Sequence, residues 1–408
     1  MIHITKKSSC CGCTACFNIC PKNAISMQPD EEGFLYPVVD QEKCVDCGLC
    51  EKICPVSSKK SHEEQTDAYI IRYNNQKIVE ESTSGGAFTA ISSYVFENGG
   101  IVYGTGYDAD MKVICKKAAC MEDLKEMRGS KFVQSSLDRT FQEIKTELKT
   151  EKLILFTGTP CQVSGLIHYL GKHPENLISM DFVCRGVPSP GLWKNYVEGK
   201  YHSKMIGARF KHKTYGYHTT TMKIDFQNGA SYFGSGRVDP YMKAFVREMS
   251  SRPSCAECAF KGIERLSDIT VFDCYEYTQI TGYKDDDKGY TSVFVHTDKG
   301  RKVFESIKPM LIWQEQAVEK LVTKNGIMVC NSAKPHAKRN AFYEAAAEMS
   351  IDKAIQKIEP ITKKDRLIEQ AKSLLFKAGL IRLVRKLRKQ QGVEINRSTQ
   401  LGEKNEGN

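Results

Sequence analysis

Two cysteine runs of identical spacing constrain this chain more than any other feature. The first is Cys10, Cys13, Cys16 and Cys20, followed by Pro21; the second is Cys44, Cys47, Cys50 and Cys54, followed by Pro55. Each reads C-x2-C-x2-C-x3-C-P, an internal repeat. Three thiolates from one tight loop can hold three corners of a four-iron cube, a fourth comes from further along the chain, and the proline stops the chain from folding back. Tetrahedral zinc is the alternative for any cysteine-rich segment. Zinc sites usually show separate C-x2-C pairs, whereas here both four-cysteine runs are complete. Cys11 is extra to the pattern and reads as a bystander.

The repeated run resembles that of bacterial two-cluster ferredoxins. The resemblance implies two [4Fe-4S] clusters with exchanged fourth ligands: Cys10, Cys13 and Cys16 with Cys54, and Cys44, Cys47 and Cys50 with Cys20. Residues 1–55 hold few large apolar side chains, so clusters are expected to take the place of a core there.

The 408 residues suit two or three domains, and 41% hydrophobic with 26% charged residues is ordinary globular composition. Met1–Lys7 has no apolar run like that of a leader, and no later stretch is apolar enough to span a membrane. Seventeen cysteines in such a chain point to a reducing cytoplasm. The net charge of +10 is concentrated: residues 363–390 carry ten Lys/Arg and two acidic residues. Each all-cysteine cube would also bring about −2. The global charge therefore gives no ground for nucleic-acid binding.

The expected fold class is α+β or α/β. A small ferredoxin-like domain with two [4Fe-4S] clusters (1–55) is fused through a polar linker (56–66) to a mixed-sheet α/β flavin and iron–sulfur domain (67–335). A helical basic tail follows at 336–391, and 392–408 reads as disordered. A hairpin is expected within 32–37. Strands are expected at 68–73, 101–107, 112–118, 152–156, 178–184, 268–272 and 292–296, with period-two strands over 205–235. Helices are expected at 87–97, 139–149, 162–170, 239–250, 301–307 and 316–325. In the tail, Leu367, Ala371, Leu374, Ala378 and Ile381 form one apolar stripe among basic residues. It reads as a helix packing on the body or a partner, with peripheral membrane contact as the alternative.

Eight cysteines lie beyond the first 55 residues apart from Cys11. Cys255 and Cys258 form a C-x2-C pair. Cys161 and Cys184 follow strand ends beside Gly/Pro loops. The carboxyl ends of strands in such a sheet open into one crevice, where four cysteines could hold a third cube. Buried structural thiols are the competing reading, and Cys115, Cys120, Cys274 and Cys330 take it.

The order of further motifs resembles the coenzyme F420 hydrogenase/dehydrogenase beta-subunit family. They are Ser84-Gly85-Gly86, Arg128 through Ser135, Gly158 through Cys161, Phe182 through Ser189, and Arg252 through Cys258 followed by Ser267-Asp268-Ile269. The resemblance covers roughly residues 80–275. It implies FAD and a third [4Fe-4S] cluster on Cys161, Cys184, Cys255 and Cys258. Cys274 departs from the family pattern and is a substitute ligand. The flavin contacts are expected at Ser84, Gly85, Gly86, Arg128, Gly129, Ser130, Lys131, Gln134, Thr157, Gly158 and Thr159. A glycine-led helix start favours an anion, Arg can fork onto a phosphate, and Lys can place a point charge. The implied activity is that of an iron–sulfur flavoprotein oxidoreductase joining single-electron clusters to a two-electron substrate or coenzyme. Its partner would be a ferredoxin or a redox subunit; a non-catalytic electron-transfer subunit is the alternative. No proton donor stands out, and His212, Lys213 and His218 read as surface residues.

Overall fold

A computed structural model of the chain describes residues 1–58, 65–200 and 203–380. The chain forms two compact units, Met1–Pro360 and Ile361–Asn408. The cysteine-rich segment thus shares a unit with the α/β body. Most of the expected linker, Ile381 of the stripe and residues 392–408 lie outside the described residues.

Strands β1 (Ile25–Pro29) and β2 (Leu35–Val39) pair antiparallel. This hairpin is wider than expected because Asp30 closes it, accepting from the N–H groups of Glu32 (3.1 Å) and Phe34 (2.9 Å). In the body follow β3 (Asp67–Tyr73), β4 (Ile101–Tyr107), β5 (Val113–Ala118), β6 (Ile154–Gly158) and β7 (Leu177–Phe182). Then come β8 (Met205–His212), β9 (Thr221–Phe226) and β10 (Ser231–Ser235), and finally β11 (Ile269–Asp273), β12 (Thr291–Val295) and β13 (Leu311–Gln316). Strands β8–β10 make a separate antiparallel sheet, as their alternating pattern suggests. The other eight form one mixed sheet in the order β13-β3-β12-β11-β7-β6-β4-β5.

Its centre, β11-β7-β6-β4, is parallel. Ile154, Leu155 and Phe156 of β6 are buried on both faces, the apolar run that an interior parallel strand requires. These four strands end on one edge, at Asp273, Phe182, Gly158 and Tyr107. Strand β3 ends there too, being antiparallel to β12, which is itself antiparallel to β11. The segments after Tyr73, Tyr107, Gly158, Phe182 and Asp273 are therefore neighbours.

Several boundaries differ from the sequence expectation. The helix expected from Gln162 begins at Pro160 and runs to Leu170. Pro160 suits a first helical turn, and Thr159 and Gln162 cap each other's backbone. Cys161 therefore sits on that first turn and not in the preceding loop. The helix expected over 239–250 is only Pro240–Val246, capped by Asp239. The helix expected over 316–325 shrinks to Val318–Leu321 behind the unforeseen edge strand β13, where Ile312 and Trp313 are exposed. Helices Arg339–Glu348 and Ile351–Ile358 belong to the first unit, so the expected tail divides at Pro360. In the second unit, Lys363–Lys377 is helical and its stripe residues Leu367 and Leu374 are exposed. No described helix is long and apolar enough to cross a membrane.

Candidate metal centres

The cysteine repeat is visible in the backbone. Gly12 and Asp46, each two residues into its run, have positive φ (70° and 48°), as do Thr14 and Gly48 (65° and 70°). Thr14 and Gly48 each open a short helix, Ala15–Ile19 and Leu49–Lys52. Left-handed turns of this kind aim successive N–H groups inward, toward an anionic centre. Two of the four positions are not glycine, and holding Thr14 and Asp46 there costs on the order of 1 kcal/mol each.

The two cysteine sets assort with exchanged fourth members. Cys20, Cys44, Cys47 and Cys50 line one solvent-open cavity; Cys47 is exposed, and nearby Val45 is 58% exposed. This is the outer set. The inner set is buried against the body. Burial pushes the Cys16 thiol up to about 12, with the neighbouring Cys10 and Cys54 adding to the effect. The Cys10 thiol is raised by burial first and then by Cys54, while Cys16 and Cys10 raise Cys13. Among the described residues, no three Cys, His, Asp or Glu side chains are grouped to hold one metal ion. The donor chemistry of each set is four free thiols around a shared space, which fits a cube.

A third set forms where the parallel strands end. Cys161 lies on the helix after β6, Cys184 follows β7, and Cys255 closes a 3-10 turn, Pro253–Cys255. The Cys184 thiol is held well up, by burial first and then by Cys255, Cys161 and Cys258. Cys161 and Cys258 raise Cys255 in turn. Gly186 makes room, since a Cβ there would stand 2.6 Å from Ser251 Oγ and 3.4 Å from Cys255 Cβ. That Ser251 hydroxyl is buried without a hydrogen-bond partner among the described residues, as a donor awaiting a cluster sulfur would be. Lys261 donates to the Cys184 carbonyl (2.8 Å). The four thiols fit a further cube.

The remaining cysteines sort differently from expectation. Cys274 is buried among Tyr277, Tyr290 and Phe294, its thiol engaged with Ser292, and is no substitute ligand in this arrangement. Cys120 and Cys330 are exposed, not buried. Cys11 is not a bystander: its thiol hydrogen-bonds with both Cys13 and Cys161, one from the inner set and one from the body set. Cys10 is extended (φ −125°, ψ 118°), and adjacent side chains on extended backbone point to opposite sides. The Cys10-Cys11 doublet is the sequence signal for this.

The residues expected at a flavin lie along the same sheet edge but divide into two groups. Gly86 caps the helix Ala87–Glu97 with φ 91° and no side-chain bond, so the first-turn N–H groups have no side-chain cap. Arg128 donates to Thr89 Oγ1 (3.2 Å) on that first turn and pairs with Glu81. The Ser130 N–H donates to Thr83 Oγ1 (3.0 Å) just before it. Gly129 supplies the positive φ (89°) that turns the chain there. Lys131 is held to about 7 by burial and donates to the carbonyls of Glu126 and Met127. Thr157 donates to the Tyr103 carbonyl (3.2 Å) on the neighbouring strand.

The second group is committed elsewhere. Ser84 and the Gly85 N–H bond Thr291 Oγ1 (2.7 and 2.8 Å). Gly158 packs on Gln162, and the Thr159 hydroxyl meets Cys161 Sγ (3.1 Å). Gln134 faces the other way and donates to the Cys11 carbonyl (3.0 Å). His212 bonds Thr214 and is held to about 4, chiefly by burial. Lys213 ties the carbonyls of Val79, Ser84 and Lys288, and His218 pairs with Asp285. None of the three is a free surface group.

Comparison with known proteins fits this division. Residues 9–58 match the 4Fe-4S dicluster domain, and residues 151–320 match the C terminus of the coenzyme F420 hydrogenase/dehydrogenase beta subunit. The chain belongs to that beta-subunit family, with a dicluster domain in front. It is 23% identical over 319 residues to the coenzyme F420-dependent sulfite reductase of Methanocaldococcus jannaschii, covering 75% of this chain and 47% of that one. The chain thus spans about half the length of that relative. It is 22% identical to the F subunit of the F(420)H(2) dehydrogenase of Methanosarcina mazei over 75% of this chain and 84% of that one. A solved F420-reducing [NiFe] hydrogenase complex from Methanosarcina barkeri aligns over 74% of this chain and 94% of its own, at a TM-score of 0.41 and 15% identity. As a member of this family, the chain is an iron–sulfur protein of the electron-transferring, oxidoreductase-related kind.

Proposed function

We propose that this chain is an iron–sulfur oxidoreductase subunit passing single electrons through three four-iron cubes to a two-electron carrier of the flavin type. The observation that carries the reading is the continuity of the three thiol sets. The outer set opens to solvent, the inner set is buried, and Cys11 joins the inner set to the body set. A partner protein would exchange electrons at the outer set, where Cys47 is exposed.

The carrier is FAD or a deazaflavin such as coenzyme F420, which two relatives carry in their names. Either ring supplies the two-electron chemistry that clusters lack. The uncapped N–H groups after Gly86, with Arg128 against the same turn, suit the phosphate tail that both cofactors share. Whether the chain completes a reaction alone or feeds a larger complex decides only where the substrate sits.

The test is an iron, sulfide and cofactor count on anaerobically isolated protein. The expected result is about twelve irons per chain and one extractable flavin or deazaflavin, told apart by its chromophore. In Cys258→Ser, about four irons should be lost, with the rest retained. Stoichiometric zinc in place of iron would overturn the cubes, about eight irons in the unsubstituted chain would remove the body cube, and an absent chromophore would remove the carrier.

A further inference from the structure

Arg252 is a side chain that the electron route does not yet use. It is 1% exposed, in the segment between β10 and β11. Its backbone belongs to the body set: the Cys255 N–H donates to the Arg252 carbonyl (2.9 Å), and the Arg252 N–H donates to Val187 (2.9 Å), three residues after Cys184. Its side chain belongs to the inner set. Nε donates to the Cys10 carbonyl (2.8 Å), and Nη2 reaches Cys10 Sγ (3.7 Å) and the Leu35 carbonyl (3.1 Å). Nη1 donates to Gln134 Oε1 (3.0 Å), and Gln134 in turn holds the Cys11 carbonyl. The guanidinium lies over the Tyr36 ring at 4.0 Å. Gly12 permits this approach, since a Cβ there would stand 3.1 Å from Arg252 Cζ.

A guanidinium keeps its charge in a protein. Opposite it, no carboxylate appears among these contacts: its partners are carbonyls, an amide, a thiol and a ring. The anionic groups that would balance it are therefore the thiolates themselves. The field of Arg252 reaches Cys10 on one side and Cys161 and Cys255 on the other.

We propose that Arg252 is the positioning and tuning residue of the junction between the inner and body sets, one fixed cation that favours the added electron on both. This rests on the three-cube reading above. Accepting an electron makes a cube more negative by one charge, and the transfer moves that charge from one set to the other with no proton or bond change. A cation beside both sets raises both reduction potentials together. The difference between them, which drives the transfer, is then nearly independent of the cation. Burial keeps salt from screening it, whereas the solvent-open outer set feels it weakly.

The test is a redox titration of the anaerobic holoprotein followed by electron paramagnetic resonance. Arg252→Met removes the charge and should lower the inner and body potentials together, leaving the outer one in place. Arg252→Lys restores charge without the fork and should return both most of the way. Gln134→Glu keeps the guanidinium and its packing but sets a carboxylate against it, so it should lower the same two potentials even if Arg252→Met fails to assemble. Unchanged potentials in Gln134→Glu, an equal shift of all three sets, or an Arg252→Lys protein no different from Arg252→Met would overturn the proposal. A wild-type protein lacking the body cube would instead overturn the reading beneath it.

Discussion

Gly165→Val should strip the inner set of its iron while sparing the outer one. Gly165 lies one turn after Cys161 on the helix Pro160–Leu170. A Cβ at this position would stand 2.9 Å from Cys13 Cβ and 3.0 Å from Cys13 Sγ. Real Cβ atoms do not approach so closely, so either the helix or the cysteine loop must move. Neither can move cheaply. The helix is buried along Val163, Leu166 and Ile167. The loop is pinned by Gln134 and Arg252, and its following helix by Asn18, which donates to the Asp138 carbonyl (2.9 Å). Overpacking of this kind typically costs about 1–3 kcal/mol in stability, but the larger effect is on the metal, because a displaced sulfur cannot complete a cube. The iron count should fall from about twelve to about eight per chain. Gly165→Ala should show the same effect in weaker form. A valine variant with full iron and an unaltered spectrum would mean that this helix and the cysteine loop part company when metal is bound.

Asp268→Ala should be the most destabilising single substitution in the sheet. Asp268 is 0% exposed, at the entry to β11. It accepts from the Ser179 N–H (2.7 Å), the Ser179 hydroxyl (2.9 Å) and the Thr297 hydroxyl (2.6 Å), with His173 and Lys299 nearby. One carboxylate thus ties β7, β11 and the start of the helix Asp298–Ile307. Burial alone would raise its titration point, but the bonds from His173 and Thr297 and the charge of Lys299 outweigh it and hold the group at about 2. The folded value lies below the unfolded one, so the carboxylate contributes stability above about pH 4 and loses it as the pH falls toward 2. That difference is worth about 2 kcal/mol. Removing the group leaves buried donors without partners and should cost about 3–5 kcal/mol. The check is the urea midpoint of anaerobic holoprotein at pH 7 and again at pH 3. A variant as stable as its parent at pH 7 would refute this account.

What the residues alone reveal depends on whether a signal is local. The cysteine spacing is local, and both loops repeat it down to the left-handed turns at Gly12 and Asp46. The alternation of apolar runs with helical patterns places the parallel strands and their shared edge. Edge strand β13 is hidden because Ile312 and Trp313 face outward and its period is blurred by Gln314, Glu315 and Gln316. The Cys161 helix starts two residues before its apolar period suggests, because the Thr159–Gln162 cap sets its beginning. The roles of Arg252 and Gln134 depend on contacts more than 100 positions apart in the chain, which no spacing encodes. Ser267-Asp268-Ile269 stands out as a pattern, but its task is mechanical.

The cysteine-rich head is bolted to the body from several sides. Arg139 covers the Phe17 ring at 3.8 Å, His168 holds the Ser58 carbonyl (2.7 Å), and Arg339 grips Glu32 with both terminal nitrogens (2.7 and 2.5 Å). A freely diffusing carrier must collide with its acceptor, so its delivery slows on dilution. A docked one makes that encounter permanent, and the effective concentration no longer depends on how much protein is present. Inside this molecule, traffic between head and body should therefore run at the same pace in a crowded cell and in a dilute cuvette, leaving only the exchange with the outside world sensitive to supply.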